Sequence, residues 1–489
     1  MDDTLITAAA ATGLPVLPRR GGGAVLPSAR AWADPARPRL VLADPATEAP
    51  RALLPLSRAA EVERAVARAR GAIGQGDRAA ILERLIAEIG ARREEMAQAI
   101  SRDMGSPIDF AREKQVEAAC DHLRATLNAL RAMSDRDEIA PGGHEVHHVP
   151  AGVAALITPW NWPLNQVALK VGGALAAGCA MILKPSELST SAALIFADCM
   201  EAAGAPEGLF TLLAGDGETG RLLAAHPGID IVSFTGSTSV GRGIAAAAGA
   251  NLVPALLELG GKSANLLFAD CDLALAVRQG VAHCFRNSGQ SCNAASRMLV
   301  AREVYDAAVE LAAEEAASWV MGAPATRGGH LGPLVSQAQY DRVQAHIEAA
   351  LEDGARLVSG GPGRAEGFER GWYPRPTVFA DVAPGMRLFR EEVFGPVLSI
   401  TPFEDEAEAV RLANEGEYGL AGYLQTADPA RQRRVAQGLR VGMVQINGRS
   451  RAEGAPFGGV RQSGYGREAG IWGIRAFQVV KSVSGLDPL

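Results

Sequence analysis

The sequence predicts an α/β protein with parallel sheets, divided into two or three domains. Apolar, strand-like runs alternate with helix-like stretches from residue 150 to residue 260, as expected for parallel strands joined by crossover helices. The chain has 489 residues, of which 48% are hydrophobic, and this content supports large buried cores. Glu and Arg alternate along 61–70 and 78–95, which indicates solvated helix faces.

Composition and charge exclude several classes of function. The net charge of −7 argues against a nucleic-acid-binding surface, and no run of 18 apolar residues could span a membrane. The acidic start Met1-Asp2-Asp3 does not suit a signal peptide. Six cysteines without a CxxC pair or a metal-ligand spacing are typical of reduced thiols. We therefore expect a cytoplasmic protein that binds no metal, nucleic acid or membrane.

The first candidate site element is the turn Pro159–Leu164, which follows the strand-like run Val153–Ile157. Two prolines and two tryptophans should make this turn rigid. Asn161, held there, offers a neutral N–H donor of the kind that a developing oxyanion needs. The alternative is a packing turn in which Asn161 caps the next helix.

Two further turns are typical of nucleotide-binding sites. Lys184–Glu187 follows the apolar run Met181–Leu183, and Thr235–Gly241 joins a strand to a helix that opens with small residues. A helix N-terminus with small residues is suited to a diphosphate. Gly215–Gly220 also matches the pattern GxGxxG, but this match is weak evidence. We therefore place the diphosphate at Thr235–Gly241.

Cys292 is the candidate nucleophile. It follows the small polar run Ser288–Ser291, which suits a thiolate and an oxyanion better than a core. Glu258 lies upstream and begins Glu258–Lys262, and a carboxylate can activate the water that releases what a thiol has captured. The remaining cysteines are expected to be small buried hydrophobic residues: Cys120, Cys179, Cys199, Cys271 and Cys284.

Together these motifs resemble the aldehyde dehydrogenase superfamily in its NAD(P)-dependent, hydrolytic form. The resemblance extends from about residue 44 to about residue 485, in the order and spacing of that family. It implies an aldehyde dehydrogenase-like fold with a Rossmann-type dinucleotide-binding domain, an α/β catalytic domain and a β-hairpin for oligomerisation. The motifs that carry it are Pro159–Leu164, Lys184–Glu187, Phe234–Gly241, Glu258–Lys262, Gly289–Cys292, Glu391–Pro396 and Pro456–Gly459.

The resemblance implies that an aldehyde is oxidised to a carboxylic acid with NAD(P)+ and water. Cys292 would attack the aldehyde to give a thiohemiacetal, whose oxyanion would be bound by the Asn161 side chain and the Cys292 backbone N–H. Hydride transfer to the nicotinamide would leave a thioester, and Glu258 would activate the water that hydrolyses it. Lys170 matches a family lysine that assists proton transfer near this base.

The resemblance also implies which residues bind the cofactor. Lys184 and Glu187 match residues at the adenosine ribose, Ser237 matches one at the diphosphate, and Glu392 and Phe394 match residues at the nicotinamide ribose and ring. A carboxylate at the 2′-hydroxyl favours NAD over NADP, although Lys184 leaves NADP possible. The full predicted set is Ile157, Thr158, Pro159, Trp160, Lys184, Glu187, Gly217, Phe234, Thr235, Gly236, Ser237, Gly241, Leu259, Gly260, Glu392 and Phe394.

The substrate pocket is less well defined by the sequence. Relatives often place aromatic or apolar residues where 447–454 stands, and this chain carries two arginines there. Because arginine binds carboxylates in a bidentate manner, they favour an acidic aldehyde such as a semialdehyde acid. The alternative is that both are solvated loop charges. The predicted pocket residues are Trp162, Leu169, Ser291, Asn293, Arg449 and Arg451.

Two other functions compete with hydrolytic oxidation. A CoA-acylating aldehyde dehydrogenase would resolve the thioester with a thiol, and such enzymes usually lack the general base that Glu258 provides. A catalytically inactive structural paralogue is the other alternative. The intact set Cys292, Glu258, Asn161, Lys184 and Glu392 argues against it.

One motif is rejected. His144–His148 matches the zinc-protease pattern HExxH, which requires both histidines on one face of a helix. The flanking Pro141–Gly143 and Pro150 predict a strand instead, and four strand steps separate the rings by roughly 13 Å, too far for one zinc ion.

The resemblance sets the expected domain borders. The NAD-binding domain would cover 1–131 and 149–258, and the catalytic domain 259–455. Residues 132–148 and 474–486 would form oligomerisation strands, so we expect a homodimer or a homotetramer.

Overall fold

A computed structural model of the chain describes residues 13–140 and 143–486. Residues 1–12 of the predicted NAD-binding domain and Pro141 and Gly142 of the predicted hairpin lie outside the described residues. The strands are β1 (Val25–Leu26), β2 (Arg39–Ala43), β3 (Pro50–Pro55), β4 (Arg136–Ala140), β5 (His144–Pro150), β6 (Val153–Thr158), β7 (Ala180–Pro185), β8 (Phe210–Leu213), β9 (Ile231–Thr235), β10 (Ala255–Glu258), β11 (Ala264–Leu267), β12 (Arg297–Ala301), β13 (Arg356–Ser359), β14 (Thr377–Ala380), β15 (Val397–Phe403), β16 (Ala421–Gln425), β17 (Met443–Ile446), β18 (Gly464–Tyr465) and β19 (Gln478–Val483).

Helices connect most of these strands. The helices are α1 (Ala29–Ala33), α2 (Ala59–Arg70), α3 (Arg78–Ala91), α4 (Arg93–Met104), α5 (Ile108–Phe110), α6 (Val116–Ala132), α7 (Pro163–Ala177), α8 (Thr190–Ala202), α9 (Gly217–Ala224), α10 (Thr238–Ala250), α11 (Leu273–Phe285), α12 (Tyr305–Ser318), α13 (Gln337–Glu352), α14 (Arg387–Arg390), α15 (Glu406–Asn414), α16 (Pro429–Gly438) and α17 (Gly470–Arg475). Within the described ranges, no helix has the length and hydropathy needed to cross a membrane.

The first sheet has the order β1-β8-β7-β6-β9-β10-β18, and only the β10–β18 pair is antiparallel. Every residue of β6, β7, β8 and β9 is buried, as expected for parallel strands that are covered on both faces. Helices α2, α7 and α8 pack on these strands and share one hydrophobic core with them. The predicted parallel α/β class is confirmed.

The second sheet has the order β13-β14-β15-β12-β11-β16-β17, with one antiparallel pair at its β13 edge. Its strands fall between Ala264 and Ile446, inside the range expected for the catalytic domain. β18 returns to the first sheet after this range. The exact domain borders stay predictions.

A third, antiparallel sheet joins β4, β5 and β19. His144–Pro150 is a strand, as predicted, so its histidines do not share a helix face. The Nε2 atom of His147 lies 2.6 Å from Glu145 Oε2, and that of His148 lies 2.8 Å from Asp137 Oδ2. Across the part of the chain that is described, no cluster of three or more His, Cys, Asp or Glu residues could hold a metal ion.

The topology positions a ligand crevice at one edge of the first sheet. The chain order reverses beside β6, since β7 and β8 extend from it in one direction and β9 and β10 in the other. Ligands of open α/β sheets bind at the carboxyl ends of the strands at such a reversal. The carboxyl ends of β6, β7, β9 and β10, together with the loops that follow them, contain most of the residues predicted to bind the cofactor.

Candidate active site

The end of β7 carries the two residues predicted at the adenosine ribose. Lys184 is buried, and its Nζ donates a hydrogen bond to Glu187 Oε2 at 3.2 Å. The Glu187 side chain is 28% exposed, so its carboxylate can still accept a hydrogen bond from a ligand. Gly217 opens α9 after the neighbouring strand β8, and Gly220 of that helix packs near the Lys184 stem.

The turn between β9 and α10 brings together the residues predicted at the diphosphate. Ser237 is the N-cap of α10, and its hydroxyl accepts a hydrogen bond from a backbone N–H in the first turn. A Cβ at Gly241 would collide with Leu259, and one at Gly236 would collide with the Phe234 ring. These glycines therefore allow the helix N-terminus to lie close against β10, with its free N–H groups facing the crevice.

The crevice contains unsatisfied polar groups that fit a dinucleotide. Thr158 Oγ1, at the end of β6, and Thr235 Oγ1, at the end of β9, are buried and have no hydrogen-bond partner among the described residues. A buried hydroxyl without a partner costs roughly 1–3 kcal/mol, which a polar ligand would relieve. Ile157 and Pro159 flank Thr158 at this edge.

A loop that precedes β15 contains the two residues predicted at the nicotinamide. Glu392 Oε1 accepts a hydrogen bond from the Gly261 N–H at 2.9 Å, and a Cβ at Gly260 would collide with the same carboxylate. The Phe394 ring meets Trp160 edge to face, with 5.5 Å between ring centroids. Burial raises the pKa of Glu392 to about 7. Residues from three distant segments, all predicted to bind the cofactor, are thus brought together.

The chain before Cys292 makes a strained turn. Asn287, Ser288 and Gly289 have successive positive φ angles of 57°, 56° and 72°. Each of the two residues that carry a Cβ is strained by roughly 1–3 kcal/mol in this conformation. At Gly289 a Cβ would collide with the backbone of Gly395, so this turn and the Phe394 loop are in direct contact. This contact fixes the turn that leads into Cys292.

Asn161 lies against this turn. Its side chain is buried, and Nδ2 donates a hydrogen bond to the Gln290 carbonyl at 3.0 Å. The backbone carbonyl of Asn161 accepts a hydrogen bond from Asn287 Nδ2 at 2.9 Å. An amide group has two donor hydrogens, so one remains for an oxyanion beside Cys292. Trp162, and not Asn161, occupies the N-cap position of α7.

Cys292 and Cys271 are partly exposed, whereas the other four thiols are buried. Burial, followed by the charges of Glu392 and Glu258, raises the pKa of the Cys292 thiol to about 12. The backbone N–H groups of Cys292 and Asn293 oppose this rise. Because the thiolate is the reactive form, the rate of attack should increase with pH.

Glu258 ends β10, and only 4% of the residue is exposed. Within the described residues neither carboxylate oxygen has a hydrogen-bond partner, so both are available to a water molecule. Burial, with the charge of Glu468, raises the pKa of Glu258 well above its usual range, while Lys170 lowers it. A raised pKa suits a general base that must take a proton from water.

Glu468 is a site residue that the sequence analysis did not predict. Lys170 Nζ donates hydrogen bonds to Glu468 Oε1 at 2.6 Å and to Ser233 Oγ at 2.8 Å, and all three side chains are buried. A lysine inside the apolar face of α7 indicates a buried counter-charge, because an unpaired buried charge is very costly. The sequence could not show that the partner lies 298 residues further on.

A cavity of about 640 Å³ lies beside the turn that contains Cys292, and its lining includes both chain neighbours of Cys292 but not Cys292 itself. Trp162 Nε1 donates a hydrogen bond to Ser291 Oγ at 2.9 Å, and both residues line the cavity together with Asn293. Three of the predicted pocket residues therefore meet here. Leu169 is buried on α7 and is not among the residues that line this cavity.

The two arginines of the 447–454 loop have different environments. Arg449 is exposed to solvent. Arg451 is partly buried, and its guanidinium lies 4.8 Å from the centroid of the Phe457 ring. The structure therefore separates two residues that the sequence analysis treated as a pair.

Comparisons with known proteins show the family to which the chain belongs. Residues 32–483 match the model of the aldehyde dehydrogenase family. The 3-succinoylsemialdehyde-pyridine dehydrogenase of a Pseudomonas species is 43% identical over 91% of this chain and 94% of the relative. An aldehyde dehydrogenase structure from Bartonella henselae has a TM-score of 0.92 and 43% identity, covering 96% of this chain and 99% of that one. A variant of aldehyde dehydrogenase C from Pseudomonas syringae, solved with NAD+ and octanal, has a TM-score of 0.90 and 44% identity, covering 92% and 94%. The chain therefore belongs to the aldehyde dehydrogenase family, whose reaction is the oxidation of aldehydes to acids.

Proposed function

We propose that this chain oxidises an aldehyde to a carboxylic acid, with NAD+ as the oxidant and water as the second substrate. One observation carries the proposal: a partly exposed thiol lies beside both an amide donor and a buried carboxylate with two free oxygens. An amide donor suits an oxyanion, and a free buried carboxylate suits the activation of water.

In the first half of the reaction the Cys292 thiol loses its proton to solvent, and the thiolate attacks the carbonyl carbon and forms a carbon–sulfur bond. The carbonyl π electrons move to oxygen, where the free N–H of Asn161 and the Cys292 backbone N–H bind the negative charge. Bound NAD+ supplies the acceptor for the hydride that leaves this carbon. As the oxyanion collapses, the carbon keeps its bond to sulfur and remains as a thioester on Cys292.

In the second half Glu258 takes a proton from water, and the water oxygen attacks the thioester carbon. The carbon–sulfur bond breaks, the acid leaves, and the electron pair returns to the Cys292 sulfur. The Lys170–Glu468 pair lies behind Glu258 and sets the electrostatic field in which this base titrates. We assign Lys170 and Glu468 a positioning role on this basis.

The cofactor would be held by the loops at the carboxyl edge of the first sheet. Glu187 would accept the hydrogen bond of a ribose hydroxyl, Ser237 and its helix would face the diphosphate, and Glu392 with Phe394 would hold the nicotinamide end. A 2′-phosphate would be repelled by Glu187, so we propose a preference for NAD over NADP. The hydrogen bond from Lys184 to Glu187 supports this, because it fixes the carboxylate in place.

A kinetic experiment tests the proposed function. Rapid mixing of enzyme, NAD+ and aldehyde should give a burst of NADH followed by steady turnover that needs water alone. A burst that is followed by turnover only after CoA is added would favour the CoA-acylating alternative. Parallel reactions with NADP should be slower. Absence of NADH with every aldehyde would favour the inactive paralogue.

Asn161→Ala should lower kcat by roughly 10²–10³-fold, because one oxyanion donor is lost. KM should change much less, since the aldehyde oxygen carries little negative charge before attack. The measurement is steady-state NADH formation across aldehyde concentrations. Asn165→Ala, on the neighbouring turn of α7, serves as a comparison. A loss confined to KM would contradict the oxyanion role.

Glu468→Gln should move the rise of thioester hydrolysis to lower pH. The charge of Glu468 raises the pKa of Glu258, so removing it lowers that pKa and makes the base available under more acidic conditions. The steady-state rate after the burst, measured across pH, reports this step. Glu453→Gln, an exposed change, should leave the profile in place. An upward shift in Glu468→Gln would contradict the assignment.

We further propose a homodimer or homotetramer assembled through the third sheet, and a cytoplasmic location. The edge strand β19 supports assembly, since it exposes Val479 and Val480 at 46% and 68%. Long exposed apolar edge strands are normally covered by a partner. Light scattering coupled to gel filtration would measure the mass, and Val480→Lys should lower it if this edge forms the interface.

The relatives do not select a substrate for this chain. One is named for a succinoyl-semialdehyde pyridine, and another was solved with octanal. These two aldehydes have different tails, so the choice of substrate must be argued from this chain's own residues.

A further inference from the structure

Arg451 is a partly buried cation that lacks a carboxylate partner among the described residues. Its Nη1 lies 3.4 Å from the Met443 sulfur, a weak acceptor, and its guanidinium stacks on Phe457 at 4.8 Å. Burial lowers the pKa of Arg451, which shows that its charge is poorly solvated. A guanidinium has five N–H donors, and most of these have no strong acceptor here.

A second buried arginine shows what a structural guanidinium looks like in this fold. Arg297 is 4% exposed and donates hydrogen bonds to the backbone carbonyls of Lys262, Leu412, Ala413 and Glu415. The protein itself therefore supplies hydrogen-bond acceptors for this buried guanidinium. Arg451 has no such set, and none of its nitrogen atoms is among the buried atoms that lack a partner, so its free N–H groups are open to water or to a ligand.

Arg451 is also close to the reacting centre. Met443 and Phe457, its two contacts, pack with Tyr423 in the small hydrophobic cluster that also contacts Cys292. The Tyr423 hydroxyl donates a hydrogen bond to the Asn293 carbonyl at 2.8 Å, and Asn293 lines the cavity beside the thiol. Arg451 therefore lies near Cys292, although neither residue is among those that line the cavity beside Trp162.

Among the described residues, no titratable group near Arg451 forms an ion pair with it. His122 of α6 faces it, and burial with the charge of Arg451 lowers the pKa of this imidazole to about 4, so it is neutral at pH 7. The carboxylate of Glu258 acts on Arg451 but hydrogen-bonds no protein group. The Cys292 thiol and the Tyr423 hydroxyl, which complete the set of titratable neighbours, are uncharged at neutral pH.

We propose that Arg451 binds a carboxylate at the far end of the substrate, so that the preferred class is aldehydes with a terminal acid group. The inference rests on the proposed function and names its substrate class. A carboxylate would give the guanidinium two parallel charge-assisted hydrogen bonds, whereas a neutral tail would leave it unpaired in a partly dry environment. Sites with a buried polar group discriminate strongly against ligands that cannot pair with it.

The test compares a series of ω-oxo acids of increasing length with their methyl esters, which have the same chain without the charge. For the wild type, kcat/KM should favour the acid by at least about tenfold at the best length. Arg451→Gln should abolish this preference. Because the charge of Arg451 also lowers the pKa of Glu258, the ratio of acid to ester at one pH is the readout, and not the absolute rate.

Two variants make the result specific to Arg451. Arg449→Gln removes a charge from the same loop at an exposed position and should keep the preference for the acid. Arg286 lines the cavity but is exposed, so water screens its charge. If Arg286→Gln abolished the preference and Arg451→Gln kept it, the proposed carboxylate site would be wrong.

The outcomes also separate this inference from the proposed function. Equal or better turnover of the methyl esters by the wild type, with NADH formed normally, would overturn the carboxylate site and leave aldehyde oxidation intact. Formation of no NADH from any acid, ester or apolar aldehyde would overturn both. Thermal unfolding of Arg451→Gln with and without NAD would show that the variant still folds and binds the cofactor.

Discussion

Cys292→Ala should lower aldehyde oxidation by at least about 10⁴-fold while NAD binding is retained. The substitution removes the sulfur that forms both proposed covalent intermediates, and no other group can hold the substrate carbon during hydride transfer. Cys292 is only partly buried, so loss of its sulfur should leave the fold and the cofactor crevice intact. NADH absorbance measures the first effect, and quenching of tryptophan fluorescence by NAD measures the second.

Cys271→Ala is the matched control for this prediction. Cys271 is also a partly exposed free thiol and packs near the second sheet, but it lies outside the candidate site. We expect its turnover to stay within about twofold of the wild type, as for a surface substitution away from the site. Substantial turnover by Cys292→Ala would mean that the nucleophile is misassigned, whereas equal losses in both variants would indicate a general effect on folding.

Glu258→Gln should form NADH in the first turnover and then stall. The amide keeps the shape of the carboxylate but cannot take a proton from water, so the thioester accumulates. We expect the steady-state rate to fall by roughly 10²–10⁴-fold, the usual contribution of a general base. Rapid mixing should show a burst close to one NADH per active site, followed by almost no further turnover.

The same experiment distinguishes two possible roles of Glu258. Loss of the burst itself would mean that this carboxylate deprotonates the Cys292 thiol and does not act first on water. The wild type at high pH provides a useful comparison, since the raised pKa values of Cys292 and Glu258 both predict faster reaction as pH increases. A burst rate that fell as pH increased would contradict this electrostatic picture.

The sequence predicted those parts of the site that local chemistry specifies. The turn after β6 has two prolines and two tryptophans, and its rigidity places Asn161 beside the Gln290 carbonyl. The small residues before Cys292 were predicted to bring backbone groups close to a ligand, and this stays a prediction; what the structure shows is that a Cβ at Gly289 would collide with the backbone of Gly395. Apolar runs likewise located the central strands of the first sheet.

Long-range pairing was the part that could not be predicted. The Glu468 partner of Lys170 comes from a segment that follows β18, and any of the chain's 55 acidic residues could have been chosen from the sequence. The two-residue strand β1 joins the first sheet beside β8, although Gly21–Gly23 and Pro27 around it do not predict a strand. Such contacts depend on tertiary packing and not on local pattern.

The solvent exposure of the side chains in the 447–454 loop could not be predicted from the sequence either. Arg449 and Arg451 are two positions apart in a segment without helix or strand periodicity, so no pattern separates an exposed side chain from a partly buried one. In the folded chain, Arg451 stacks on Phe457 and is therefore partly buried. This is why the two arginines were first treated together and now have different expected effects.

The most direct test of the account is the mass of Glu258→Gln after reaction with NAD+ and an aldehyde. We predict that acid-quenched protein gains the mass of the aldehyde less two hydrogen atoms, in an amount equal to the NADH formed. Peptide mapping should place this acyl group on the peptide that contains Cys292. NADH formed without a protein adduct, or an adduct on one of the other cysteines, would contradict a thioester on Cys292 that Glu258 resolves.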